Sequence, residues 1–239
     1  MDKSHDSCVR LQHLKVFVKF DFVKLNQSAL MIITMKGTLS LKIIQEKVKN
    51  CKKCDLCTSR KNAVPGKGNH NADIVFIGEA PGKNEDAHGE PFIGTAGKKL
   101  NDALKNAGLE RSDVYITNIV KCRPPKNRIP NDVEKMMCSD YLENELSIIK
   151  PKIICLLGNT SYHSILGGNE ISKNHGKFVS KDDYLYFISF HPAAIIYNQK
   201  LKKVFENDMK KLVDELKKLK TKSGDWNKNT TKKVLHEWH

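Results

Sequence analysis

The chain has 239 residues, enough to bury one sizeable hydrophobic core, so we expect a single domain with tails. Lys and Arg number 41 against 27 Asp and Glu, and the net charge of +14 favours a polyanionic partner such as nucleic acid. A generally basic proteome explains the same charge. No stretch reaches the roughly 18 apolar residues of a transmembrane helix, and the N-terminus lacks the basic, apolar, small-residue order of a signal peptide, which predicts a cytoplasmic protein with no membrane partner.

The chain divides into three parts by composition. Residues 1–34 join no periodic pattern, and Met31 and Met35 are alternative starts, so this part is either an N-terminal extension or a misplaced start. Residues 35–220 read as one domain. Residues 221–239 are polar and basic, which predicts a flexible tail.

Apolar, β-branched runs alternate with helical patterns through the middle of the chain. The predicted strands are 73–78, 114–120, 152–158 and 185–190. The predicted helices are about 95–107, 131–149, 159–167 and 202–220. Because each run is apolar almost throughout, the strands should be covered on both faces. The pattern predicts an α/β fold with a parallel sheet between two layers of helices.

The seven cysteines are more typical of ligands or buried thiols than of disulfides in a reducing compartment. The motif "CKKCDLC" lacks the fourth cysteine of a bacterial ferredoxin, since that position is Lys61. Cysteines from elsewhere must therefore complete a four-ligand site. The economical ligand set is Cys51, Cys54, Cys122 and Cys138. Spacing leaves both zinc and an iron-sulfur cluster open, because both accept four thiolates.

Other arrangements of the cysteines remain open at this point. A zinc site could use Cys51, Cys54 and Cys57 with a histidine such as His70, which would leave Cys122 as a plain loop residue. Two further cysteines stand apart from either set. They are Cys155, predicted to be a buried thiol, and Cys8 in the N-terminal part.

Polar loops follow the predicted strands at the end where ligands bind in an open parallel sheet. The loop "GEAPGKNED" matches neither glycine-rich phosphate motif, and Glu79 would repel a phosphate. Phe92 offers a stacking face, Asn118 an amide for a base edge, and His191 an imidazole. Each alone is more often structural, but their joint placement at strand ends favours a pocket for a flipped base.

Several motifs together carry a family resemblance. The stretches "GEAPGKNEDAHGEPFIGTAG", "TNIVKCRPPKNRIP", "LLGNTS" and "FHPAA", in this order, closely resemble the family 4 uracil-DNA glycosylases, and the match runs from about Met35 to Lys220. The resemblance implies a three-layer α/β/α sandwich with a four-stranded parallel sheet. It also implies a [4Fe-4S] cluster rather than zinc, with Cys57 as a spectator. The implied ligands are Cys51, Cys54, Cys122 and Cys138.

The resemblance also assigns roles to individual residues. Phe92 would stack on uracil, Asn118 would pair with its N3 and O4 edge, and His191 would lie near O2. Asn118, His191 and Glu79 form the implied catalytic set, and Glu85 would lie near the C5 edge, where thymine carries a methyl group. The implied substrate-binding set is Gly78, Glu79, Ala80, Glu85, Phe92, Asn118 and His191.

The implied reaction is hydrolysis of the N-glycosidic bond of deoxyuridine in single- or double-stranded DNA, which leaves an abasic site and starts base excision repair. The water-orienting group stays open, because some relatives have Asp where this chain has Ala80. A related family traps the sugar with a histidine, and here that place is Pro130. The rival functions are a non-catalytic iron-sulfur DNA-binding protein and a glycosylase of broader range. Glu79 favours uracil over the broader range.

The resemblance further suggests how DNA and partners bind. The segment 192–198 would enter the duplex, with Ile195 or Ile196 as the wedge, and His175 replaces a usual arginine, so a phosphate contact there should be weaker or pH-dependent. A monomer in the nucleoid is expected, with a replication clamp as a candidate partner. The residues predicted to meet DNA phosphates are Lys121, Arg123, Lys126 and Arg128.

Overall fold

The computed structural model describes residues 40–222. The predicted extension at 1–34, both suggested start sites and residues 223–239 lie outside the described part of the chain.

The sheet has six strands in the order β1-β3-β2-β4-β6-β5 within the described residues. The four central strands are parallel, which confirms the predicted α/β class. The four-stranded parallel core is as expected, and a short antiparallel strand that was not predicted, β1 or β5, lies at each edge. The bounds are β1 Lys67–Gly68, β2 Ile74–Gly78, β3 Tyr115–Asn118, β4 Ile153–Leu157, β5 Phe178–Lys181 and β6 Tyr184–Ser189.

Helices cover both faces of this sheet. The helices Thr95–Asn106, Asp132–Ile149, Asn159–Leu166 and Leu201–Lys222 agree with the predicted ones to within a few residues, whereas the helix at 40–49 was not predicted. Short 3₁₀ turns occupy Arg111–Asp113 and Pro125–Asn127. The helices are α1 (residues 40–49), α2 Leu56–Ser59, α3 Lys83–His88, α4 Thr95–Asn106, α5 Asp132–Ile149, α6 Asn159–Leu166, α7 Ile171–Asn174, α8 Ala194–Tyr197 and α9 Leu201–Lys222.

The core is split by the sheet into two layers. Val75 and Ile77 of β2 pack with α1 and α5 on one face. Ile74 and Phe76, which point the other way, pack with α4 and α9. Alternate residues of one strand are therefore buried on opposite faces, as expected for the middle layer of a sandwich.

Helix α5 positions two polar groups that matter for the site. It begins at a capping box, in which the Asn131 side chain accepts the Glu134 N–H at 2.8 Å and the Glu134 side chain accepts the Asn131 N–H at 2.9 Å. Cys138 and Glu145 are both buried in this helix. Because they are seven residues apart, about two turns, they lie on the same face.

The parallel strands give the sheet two different ends. At the amino end, Asp73 forms ion pairs with Lys152 at 3.0 Å and Lys220 at 2.6 Å. At the carboxyl end, β2 finishes at Gly78 and β3 at Asn118, and the loops that follow converge there.

Candidate active site

A cleft of about 250 Å³ opens at the carboxyl ends of β2, β3 and β6. Six of the seven predicted substrate-binding residues line it, and Gly78 lies directly beneath two of them. The sequence assigned no base-binding role to the other lining residues, although Arg128 was predicted to meet DNA and Ala193 and Tyr197 fall in the predicted segment 192–198. The cleft is lined by Glu79, Ala80, Pro81, Gly82, Glu85, Phe92, Ala96, Asn118, Pro124, Asn127, Arg128, His191, Ala193 and Tyr197.

Gly78 forms the floor of the cleft. A Cβ atom at this position would lie 2.5 Å from Asn118 Oδ1 and 2.5 Å from Phe92 Cζ. Both distances are far below ordinary contact, so a side chain at residue 78 would displace the amide or the ring. Glycine lets the backbone approach both groups.

Asn118 ends β3 and is 2% exposed. Its Oδ1 atom is buried and accepts no hydrogen bond from the described residues. A buried acceptor without a donor costs about 1–3 kcal/mol. The cleft therefore contains a carbonyl oxygen that a ligand N–H would satisfy.

Phe92 forms one wall. Its backbone has a φ of 53°, a left-handed conformation that is uncommon for a bulky residue, and its side chain is 5% exposed. The Arg111 guanidinium donates to the carbonyls of Pro91 at 2.5 Å and Phe92 at 3.3 Å. Arg111 thus braces the strained loop, a role that sequence reasoning missed.

His191 faces Phe92 across the cleft, with ring centroids 5.6 Å apart and planes 36° apart. The Ala193 N–H donates to Nδ1 at 3.2 Å, which places the ring proton on Nε2. Burial lowers the pKa of His191 from 6.5 to about 4, against the opposing effect of the Glu85 charge. The imidazole is therefore neutral at pH 7 and can donate through Nε2.

Glu79 and Glu85, two of the acidic residues that follow β2, are both held in place. Glu85 Oε1 accepts the N–H groups of Ile93 at 3.0 Å and Gly94 at 2.8 Å, so it orders the loop that enters α4. Glu79 Oε2 accepts the hydroxyl of Thr160. Thr160 belongs to the "GNTS" motif and lies in the first turn of α6, and its contact with Glu79 was not predicted.

The loop after β6 corrects one prediction. Ile195 is 2% exposed and packs in the core beside α9, so it cannot serve as a wedge. Ile196 is 39% exposed, and Tyr197, which lines the cleft, is 89% exposed. The short helix α8 turns Ile195 inwards and leaves the next two side chains outside.

Lys121 corrects a second prediction. It is 1% exposed and forms an ion pair with Glu145 at 2.7 Å, so its ammonium cannot reach a DNA phosphate. Lys126 is exposed. Arg128 makes two hydrogen bonds to Glu134, at 2.6 and 2.8 Å, and its side chain is 45% exposed.

His175 turns towards the protein interior. Its Nδ1 lies 3.1 and 3.2 Å from the two carboxylate oxygens of Asp208, and its ring lies 4.6 Å from that of Phe190. Burial raises the pKa of Asp208, while the hydrogen bonds from His175 and Ser189 oppose that rise. One ring nitrogen is thus engaged, which favours a weak phosphate contact at this position.

A second cavity brings the predicted cysteine ligands together, although they come from three separate segments. Cys57 also lines this cavity, whereas His70 does not, so the alternative zinc set is not assembled. Cys155 is fully buried within β4, as predicted. The lining cysteines of the predicted set are Cys51, Cys54, Cys122 and Cys138.

Three of these sulfur atoms accept hydrogen bonds. The Arg60 guanidinium donates to Cys122 at 2.9 Å. The backbone N–H of Lys53 donates to Cys51 at 3.5 Å, and that of Lys121 donates to Cys138 at 3.3 Å. Such donors stabilise thiolate ligands, although burial raises the pKa of the free Cys138 thiol to about 11. Within residues 40–222, no three His, Cys, Asp or Glu side chains converge on one ion position.

Comparison with known proteins settles the family. The model of the uracil DNA glycosylase superfamily matches residues 65–217. A type-4 uracil-DNA glycosylase of Sulfurisphaera tokodaii is 50% identical over 183 residues, which are 72% of this chain and 83% of the relative. The chain belongs to the type-4 uracil-DNA glycosylases.

Other relatives agree with this assignment. A type-4 uracil-DNA glycosylase of Saccharolobus solfataricus is 46% identical and covers 74% of this chain and 87% of its own. A type-5 uracil-DNA glycosylase of Pyrobaculum aerophilum is 32% identical over 56% of this chain. The resemblance drawn from the sequence is confirmed. In the described part of this type-4 glycosylase, no helix has the length and apolar character to cross a membrane.

Proposed function

We propose that this type-4 glycosylase flips uracil out of DNA and hydrolyses its N-glycosidic bond, which leaves an abasic site and starts base excision repair. One observation carries the proposal: the Asn118 amide is buried at the bottom of the cleft, and Oδ1 has no hydrogen-bond donor among residues 40–222. A flipped base is the ligand that reaches such a site from a duplex.

The unpaired oxygen suits uracil in particular. Uracil presents an N3–H donor beside the O4 acceptor, and the Asn118 side chain offers Oδ1 as an acceptor beside an NH₂ donor. Cytosine presents an acceptor at N3 beside an amino group, which would leave the amide mismatched. We infer that Asn118 selects uracil over cytosine, with Phe92 stacked on the ring.

His191 stabilises the departing base. Bond breaking leaves negative charge on uracil, and a neutral imidazole that donates from Nε2 to O2 binds this charge more strongly than it binds the ground state. One such donor lowers the activation barrier by about 3 kcal/mol. A proton on Nδ1 is not required, because that nitrogen accepts the Ala193 N–H.

Glu79 has an electrostatic part in the proposal. Its carboxylate, held by Thr160 at the rim of the cleft, would stabilise the positive charge that develops on the sugar. Ala80 carries no carboxylate, so a group that orients the attacking water is not assigned. Glu85 is already a backbone acceptor and forms a wall rather than a base.

We propose a [4Fe-4S] cluster in the cysteine cavity, bound by Cys51, Cys54, Cys122 and Cys138. The hydrogen bonds to three of the sulfur atoms support this ligand set. The four thiols come from three segments yet line one cavity, and the resemblance to the type-4 family favours an iron-sulfur cluster over zinc. When bound, the cluster supplies a cross-link between three segments.

Contacts with DNA around the base belong to the same proposal. Tyr197 at the rim and exposed Lys126 would meet the DNA, single or double stranded. Action as a monomer, a nucleoid location and a replication clamp as partner stay predictions.

The proposal is tested with oligonucleotides that contain uracil, thymine or hypoxanthine. The protein should release uracil in preference to both other bases. Asn118→Ala and His191→Ala should each lower the single-turnover rate by about 10²–10³-fold, whereas Asn106→Ala, an exposed asparagine at the end of α4, should not change it. DNA binding without any abasic product would instead favour a non-catalytic binding protein.

A further inference from the structure

Lys121 is a charged side chain with almost no exposed surface, 1% of its ordinary exposure. It lies on the turn between Asn118, at the end of β3, and Cys122. Its ammonium group has three hydrogens and three acceptors: Thr117 Oγ1 at 2.5 Å, Asn118 O at 3.0 Å and Glu145 Oε2 at 2.7 Å. A buried charge is costly unless it is fully paired, and here every donor is used.

The partner carboxylate is just as enclosed. Glu145 is 0% exposed, and its other oxygen accepts the Gly66 N–H at 3.0 Å and the Tyr115 hydroxyl at 3.3 Å. The ion pair therefore joins helix α5 to strand β3 and to the segment that precedes β1. No hydrophobic pair of similar size would make these directed contacts.

The same lysine also contacts the cysteine cavity through its backbone. Its N–H donates to Cys138 Sγ at 3.3 Å, and Cys138 lies on the face of α5 that also carries Glu145. Lys121 thus holds the Asn118 carbonyl with its side chain and a cluster-binding sulfur with its main chain. Asn118 is connected to the cysteine cavity through one residue.

We propose that Lys121 is a positioning residue, which fixes the peptide of Asn118, and with it the amide that reads the base, against the cluster-binding helix. This inference rests on the proposed function. The Asn118 amide has to meet the base with its unpaired oxygen, and a displacement of about 1 Å in such a group costs roughly 10²-fold in rate. Lys121 touches no substrate, so its effect would act through Asn118.

The test replaces both charges together, because removal of Lys121 alone would leave Glu145 buried and unpaired. In Lys121→Met/Glu145→Gln the glutamine can still accept the Gly66 N–H. The double variant should fold and bind DNA as the wild type does. Its absorbance near 400 nm, which reports the bound cluster, should be the same as that of the wild type at equal protein concentration. Its single-turnover rate of uracil release should fall about 10- to 100-fold, with KM unchanged.

Tyr115→Phe is the matched control, since it removes a hydroxyl bonded to the same carboxylate but touches neither Lys121 nor Asn118 through a described hydrogen bond. Its rate should stay within about twofold of the wild type. A folded, cluster-loaded double variant with the wild-type rate would overturn the role of Lys121, and so would an equally slow Tyr115→Phe.

Hydrogen exchange separates this inference from the proposed function. The Ile119 amide, which donates to Gly78 O at 2.9 Å, should exchange at least about tenfold faster in the double variant, because the turn is released. Unchanged exchange would refute the holding role whether or not the wild type is active. A wild type that releases no uracil would refute the proposed function, and the exchange rates would still decide the role of Lys121.

Discussion

Burial has opposite consequences for Asn118 and His191. In Asn118 it leaves a carbonyl oxygen without a donor in the described part of the chain, a cost that a bound base removes. In His191 it keeps the imidazole neutral, so the ring donates from Nε2 without a proton equilibrium near pH 7. Both side chains are therefore suited to bind a neutral base rather than a phosphate.

The lowered pKa of His191 predicts a pH dependence with a defined sign. The unfolded chain takes up this proton near pH 6.5, whereas the folded protein takes it up only near pH 4. The contribution of neutral His191 to the free energy of unfolding is therefore fully present above pH 6.5. It is lost as the pH falls to about 4, because the unfolded chain binds the proton first. The loss is on the order of 2–3 kcal/mol.

Denaturant unfolding at pH 7, 5.5 and 4.5 measures this loss against His191→Gln, which has no such proton. The wild type should lose more stability on acidification than the variant. Equal losses in the two proteins would contradict the shifted pKa. The single-turnover rate of the wild type should show no inflection from His191 between pH 8 and about 5.

At the scale of elements, the four central strands could be predicted because each lies in a run that is apolar almost throughout. The edge strands could not. Lys67–Gly68 is two residues long, too short to carry a period, and Phe178–Lys181 is half polar. Both pair at the edges, where one side of the strand has no neighbour and little pattern is required.

The site was predicted unevenly for the same kind of reason. Asn118, His191 and Phe92 lie in motifs, so the sequence located them. Lys121 looked like its charged neighbours in "KCRPPKNR", and the carboxylate that pairs with its buried charge belongs to Glu145, 24 residues away. The sequence "AAIIY" also does not indicate which of its two isoleucines is buried, because that depends on how α8 is oriented in the fold.

The loop that carries α8 predicts a difference between single- and double-stranded substrates. Tyr197→Ala removes the exposed ring at the rim, so uracil release from a duplex should fall about tenfold or more while release from a single strand changes little. Ile196→Ala should have a smaller effect, since that side chain is half as exposed or less. Equal losses on both substrates would count against a role in opening the duplex.

The cysteine segments predict a contrast between two thiols of one cavity. Cys122→Ala should abolish the absorbance near 400 nm and lower the melting temperature, because three segments lose their cross-link. Cys57→Ala should retain the iron content and the spectrum. Iron analysis and absorbance measure both, and loss of iron in Cys57→Ala would revise the ligand set.

At the scale of the whole molecule, the net charge of +14 predicts DNA affinity that falls steeply with salt. Lys126→Gln should reduce the slope of log Kd against log salt by about 1, because one phosphate contact is lost. Lys217→Gln is the control, since α9 runs towards the amino end of the sheet, where Lys220 pairs with Asp73. Equal slopes for both variants would contradict a contact between the 123–128 loop and DNA.

The glycine floor has a consequence for how such a pocket can evolve. A single methyl at residue 78 would clash with both Asn118 and Phe92. A substitution of Gly78 would therefore also require changes at Asn118 and Phe92. Adaptation towards larger bases is therefore confined to the open side of the cleft. Ala80 and Ala96 line that cleft with small side chains, and variation there leaves Gly78, Asn118 and Phe92 unchanged.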